Sequence, residues 1–131
     1  MEPIILGPGE GRTYDCGRVT AHFKADGAET GDRYAISEWV MAPGFDGVGA
    51  HDHAANDEIF IGTEGECEIL VGDDWRPVGT GTTVRIPAGV THDFRNLSGT
   101  RAAVLNVFLP GGFEPMMPQI VRWFAENGTD R

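Results

Sequence analysis

GTTVRIPAGVTHDFRN, residues Gly81 to Asn96, holds two runs of β-type residues, Thr82 to Ile86 and Thr91 to Asn96, on either side of Pro87-Ala-Gly89. Its β-branched and aromatic side chains suit a pleated backbone, and the proline and glycine break it where a helix would need continuity. The same alternation of short runs and turn signals extends in both directions. Arg18 to Lys24, Tyr34 to Met41, Val48 to His53, Glu58 to Gly62, Glu66 to Val71 and Trp75 to Val78 precede this stretch, and Ala102 to Leu109 follows it. Such spacing predicts an all-β chain of two packed antiparallel sheets. Gly72-Asp73-Asp74 and the residues from Asn96 to Thr100 read as tight hairpin turns.

One segment departs from this pattern. In Pro118 to Gly128, Ile120, Val121 and Phe124 fall on one helical face, Pro118 suits a first turn and Gly128 a terminator, so a short helix over about 118–127 is expected to pack on a sheet. Residues 1–17 carry glycines and few apolar side chains, and read as an arm or loop. With 131 residues, 40% hydrophobic and 23% charged, the chain suits one folded domain rather than two or a disordered chain. Its 19 glycines and 8 prolines show no period, which excludes collagen and favours a turn-rich β protein.

Twenty acidic residues against ten basic ones give a net charge of −10, with no basic stripe to bind phosphates. Nucleic acid and anionic membrane are therefore not expected partners. The uncharged run from Ala102 to Gly112 is too short to span a bilayer, and Met1-Glu2-Pro3 followed by Ile4-Ile5-Leu6 does not read as a signal peptide, so a cytoplasmic address is expected. Cys16 and Cys67 have neither metal-site nor disulfide-framework spacing and read as reduced thiols.

Three of the four histidines lie in β-type segments. On a strand, His51 and His53 at i and i+2 project both imidazoles from one face and send Asp52 to the other. Ala54-Ala-Asn-Asp57 gives the chain room to reverse, so that Glu58 returns toward that pair, while His92 arrives from a distant run as a third imidazole. Three nitrogens and a carboxylate with open positions suit a divalent transition ion, Fe, Mn, Ni, Co or Zn, whereas Mg or Ca prefers all-oxygen ligands. His22 lacks partners and reads as a partly exposed strand residue. Phe94 shares the face of His92, and Phe60 that of Glu58; either fits a pocket wall or a core position.

These residues resemble the two motifs of the cupin family, in particular its small single-domain type-2 members. His51-x-His53-x4-Glu58-x6-Gly65 is similar to the first motif, with Phe45 where the family usually has glycine. Gly81, Pro87, Gly89, His92 and Asn96 match every fixed position of the second. The resemblance covers about residues 30–112. It implies a jelly-roll barrel (a double-stranded β-helix) holding one metal ion per chain through His51, His53, Glu58 and His92, with Asn96 and the Pro87 to Gly89 turn as fold residues and a homodimer as the assembly. Pro110-Gly-Gly-Phe-Glu114 looks similar to the tail of quercetinase-like cupins.

Three chemistries follow from that ligand set. The first is a metal-dependent dioxygenase acting on a small oxygenated substrate, phenolic or polyketide-like, with Glu58 as ligand or base. The second is a redox-free isomerase or cyclase, and the third a module that binds a small molecule without turnover. Trp39, Met41, Phe60, Phe94 and Phe108 point to an apolar, aromatic pocket.

Overall fold

The computed structural model describes residues 2–127. Among the described residues nine strands form: β1 (Arg12–Asp15), β2 (Val19–Ala25), β3 (Ala35–Met41), β4 (Asp57–Glu64), β5 (Cys67–Val71), β6 (Asp74–Val78), β7 (Thr83–Ile86), β8 (His92–Arg95) and β9 (Ala102–Leu109), followed by helix α1 (Met117–Glu126). They make two antiparallel sheets, of order β1-β2-β3-β9-β4-β7 and β6-β5-β8, that fit a jelly roll.

The buried faces follow from side-chain alternation. In β2, Val19, Ala21 and Phe23 point inward, and in β5 Cys67 and Ile69 do the same. These residues, with Trp39, Phe45, Phe94, Val104 and Phe124, form one core cluster between the sheets and under α1. Both cysteines are buried and free, and burial pushes each thiol up to about 11.

Three expectations need correction. The run from Val48 to His53 forms no strand, because Gly47 and Gly49, both at φ +102°, interrupt extended backbone; a single bridge joins His51 to His92. Conversely, β1 forms inside the segment read as an arm. Its burial is slight, so it carries no apolar alternation to betray it, and it is held by pairing to β2 along the sheet edge. Asn96 to Thr100 is not a hairpin, since β8 and β9 lie in different sheets. The buried Asn96 side chain donates instead to the carbonyls of Met41, Ala42 and Thr100, pinning a crossover between sheets. On α1, Phe124 is buried in the core as expected, while its neighbour Trp123 is 39% exposed.

The Gly72 turn between β5 and β6 is a hairpin as expected, with Gly72 at φ +65°. His22 sits half-buried on β2, with Nδ1 2.8 Å from Thr13 Oγ1. The terminator assigned to Gly128 lies outside the described residues. No helix among the described residues is long and apolar enough to cross a membrane.

Candidate metal centre

Backbone hydrogen bonds put the three histidines in one place. His51 N–H donates to the His92 carbonyl at 3.0 Å and His92 N–H returns the bond at 2.8 Å, while Gly89 N–H donates to the His53 carbonyl at 2.9 Å. Alternation across His51-Asp52-His53 thus survives without a strand: Asp52 is exposed and both rings face inward. The imidazole centroids are 4.4 Å apart for His51 and His92, 5.1 Å for His51 and His53 and 5.4 Å for His53 and His92. One nitrogen from each ring lies within 4.8 Å of the others.

The loop that carries His51 is anchored by Asp93, whose carboxylate accepts from Val48 N–H at 3.0 Å and Gly49 N–H at 3.2 Å. Gly49 in turn orients the ring, since its carbonyl lies 2.7 Å from His51 Nδ1. His92 Nδ1 stands likewise 2.9 Å from the Val90 carbonyl. A carbonyl only accepts, so both Nδ1 atoms carry hydrogen, and in the neutral rings each Nε2 presents a lone pair.

Glu58 begins the inward face of β4, directly after the reversal at residues 54–57. It is 5% exposed, and Asn106 Nδ2 on the adjacent β9 donates to its Oε1 at 3.0 Å. Oε2 faces the histidines, 3.6 Å from His53 Nε2 and in contact with His92 Nε2. Burial would raise the Glu58 carboxyl, but His92, His53 and Asn106 outweigh it and hold the group below the usual carboxylate range. Burial also dominates at His53, pushing that imidazole down.

Among the described residues, three buried atoms, His53 Nε2, Glu58 Oε2 and His92 Nε2, have no well-aligned hydrogen-bond partner, the last two meeting only as an ion-pair contact. Buried polar atoms are costly to leave unpaired, and three acceptors of this kind converging on one point call for a cation. Imidazole nitrogens with one carboxylate oxygen suit a transition ion. These residues therefore fit a metal, and would hold it through His51, His53 and His92, with Glu58 beside them.

The centre opens into a cavity of about 390 Å³ whose polar lining is confined to the three histidines, Glu58 and Asn106 among otherwise apolar walls. Phe60 and Phe94 both line it, as does Trp39, whereas Met41 and Phe108 are core residues behind it. The Phe108 ring still packs edge-on to His53 at 5.1 Å. Sequence reasoning overlooked Asn106 and Asp93, and reached Phe113 only as part of the Pro110 to Glu114 tail. The signal for Asn106 was available, since it is the one polar residue in the run AAVLNVFL.

The family model described as "Cupin domain" matches residues 37–108. Over 93 residues the chain is 31% identical to quercetin 2,3-dioxygenase of Bacillus subtilis (strain 168), an alignment that takes in 71% of this chain but only 27% of that protein. Among solved structures, KdgF from Halomonas sp. superposes with a TM-score of 0.73 at 15% identity, covering 87% of this chain and 99% of that one. A cupin 2 conserved barrel domain protein from Salinispora arenicola CNS-205 gives 0.64 at 23% identity, with 98% of each chain covered. At those identities the structural likeness speaks for the fold alone.

Proposed function

The chain belongs to the cupin domain family, and from that premise we propose that it is a metal-dependent dioxygenase acting on a small oxygenated organic substrate, phenolic or polyketide-like. The observation that carries this reading is the convergence of unpaired His53, Glu58 and His92 atoms at the end of an apolar, aromatic cavity. The distant likeness to a quercetin dioxygenase supports it.

One divalent transition ion, Fe, Mn, Ni, Co or Zn, would be held by His51, His53 and His92, with Glu58 beside them as a further ligand or as a free base; when bound the ion supplies Lewis acidity and, if redox-active, access to O₂. The chain's own residues supply the rest. The aromatic walls bind the body of the substrate and exclude water, which strengthens every polar contact inside. Glu58, held ionised and aimed inward, accepts the proton of a substrate hydroxyl at Oε2, while Asn106 keeps Oε1 occupied. That buried base also favours a second reading, a redox-free isomerase or cyclase, because proton transfer alone is what such chemistry needs. O₂ uptake stoichiometric with loss of a phenolic substrate supports the first reading; turnover that persists unchanged without O₂ contradicts it and supports the second.

We propose further that the working unit is a homodimer, since β1 and β7 end the larger sheet with unpaired edges among the described residues.

A further inference from the structure

We propose that the turn from Pro110 to Glu114 is a specificity element of the cavity: Phe113 is the wall that limits how wide a ring system reaches His53, and Asp26 is the positioning residue that seats it. The inference rests on the reading of the metal centre and its substrate class given above.

Each residue of this turn has a physical reason to be there. A Cβ at Gly111 would lie 2.8 Å from the Tyr34 carbonyl oxygen and 2.9 Å from Asp26 Oδ1, so no side chain fits. Gly112 stands at φ +98°, a conformation that side chains disfavour. Asp26 is 4% exposed, and its carboxylate accepts from Gly112 N–H at 2.7 Å and from Glu114 N–H at 2.7 Å, bracketing the residue between them. The Glu114 side chain is caught from another direction, by Tyr14 at 2.7 Å and by Arg12 through two nitrogens.

What this clamp presents is the Phe113 ring. It meets Phe108 edge-on at 5.0 Å, stacks on Phe23 at 6.0 Å, and stands 6.2 Å from the His53 ring and 6.3 Å from Trp39. Phe113 also lines the cavity. The other phenylalanine ring packed against His53, Phe108, comes from β9 and is fixed by sheet pairing. Phe113 comes from a turn, so its place depends on the polar clamp beneath it, and a ligand approaching His53 meets its ring.

The test uses the full-length, metal-replete protein with two probes that share one pair of adjacent hydroxyls, catechol and the wider 2,3-dihydroxynaphthalene. Affinities are measured by calorimetry, and metal content is assayed in every variant. Phe113→Ala is expected to shift the affinity ratio about tenfold toward the naphthalenediol, the scale of selectivity a pocket wall commands, with metal content unchanged. Asp26→Ala is expected to shift it in the same direction, and to add nothing in the Phe113→Ala background, because it acts through that ring. If Phe113→Ala fails to fold, Phe113→Leu replaces it, with a smaller shift in the same direction. A wild-type ratio in a folded Phe113 variant that binds catechol normally overturns the inference while leaving the metal centre intact. An Asp26→Ala effect undiminished in the double variant overturns the positioning role. A wild type that holds no metal or binds neither diol overturns both this inference and the reading beneath it.

Discussion

With the ion stripped away, His92 and Glu58 are expected to support each other through their mutual contact. Burial alone would lower the His92 imidazole, but contact with Glu58, the Val90 carbonyl and nearby negative charge hold it above its ordinary value of 6.5. Glu58 is held below its ordinary 4.5 by the same contact against the pull of burial. The sign for each half is definite. His92 contributes stability that is complete below its unfolded value and lost as pH rises through the raised folded one; Glu58 contributes stability that is complete above its unfolded value and lost as pH falls through the depressed one. The metal-free protein is therefore expected to resist urea best between about pH 4.5 and 6.5 as far as this pair decides it. Metal affinity runs the other way, rising with pH as His92 gives up the proton that competes with the ion. A competition titration in which affinity stays flat between about pH 5 and 8 would contradict His92 as a ligand. At this scale much was legible in the sequence. His51 and His53 are paired by parity, while Glu58 needs the chain reversal before it and joins His92 through the two spaced motifs; Phe113 and Asp26 meet only after the chain has passed through most of the fold, and no local pattern announces that meeting.

Strand β8 carries His92 and Phe94 on one inward face, next to Ile69 of β5, and so couples the site to the core. Phe94 packs against Trp39, Phe45 and Phe60 with ring centroids 5.6 to 5.9 Å apart. Replacing it by alanine is expected to cost about 3–5 kcal/mol by urea denaturation, since it removes the ring that these three aromatic side chains pack against. A loss under about 1 kcal/mol would mean that the residue is not packed as described. Strands with apolar alternation were readable as elements, which is why β2, β3, β5 and β9 appear close to their expected bounds. The exceptions have physical causes. β1 is a short polar edge strand that exists because β2 offers it hydrogen bonds, and the loop before His53 looked like a strand because His51 and His53 alternate about Asp52, although Gly47 and Gly49 curve it around the Asp93 carboxylate.

Taken as a whole, the molecule is an acidic two-sheet shell in which the candidate metal ligands share a largely apolar cavity with Ile120 and Trp123 of α1. The fold was legible because strand number, turn density and two spaced motifs all pointed the same way. Which strands share a sheet was not, because the crossover at Asn96 depends on hydrogen bonds to residues more than fifty positions away. The exposed edges of the larger sheet predict a dimer, and light scattering at micromolar concentration should return twice the chain mass of 14.1 kDa; a monomer there would contradict the proposed assembly. The claim on which the functional account depends is the metal centre, and elemental analysis of protein purified without a histidine tag or chelator tests it most directly. About one Fe, Mn, Ni, Co or Zn per chain, lost in His53→Ala with the β-sheet signal retained, is the predicted result. A wild type that is folded and metal-free, or a His53→Ala variant that keeps its full complement of metal, would contradict it.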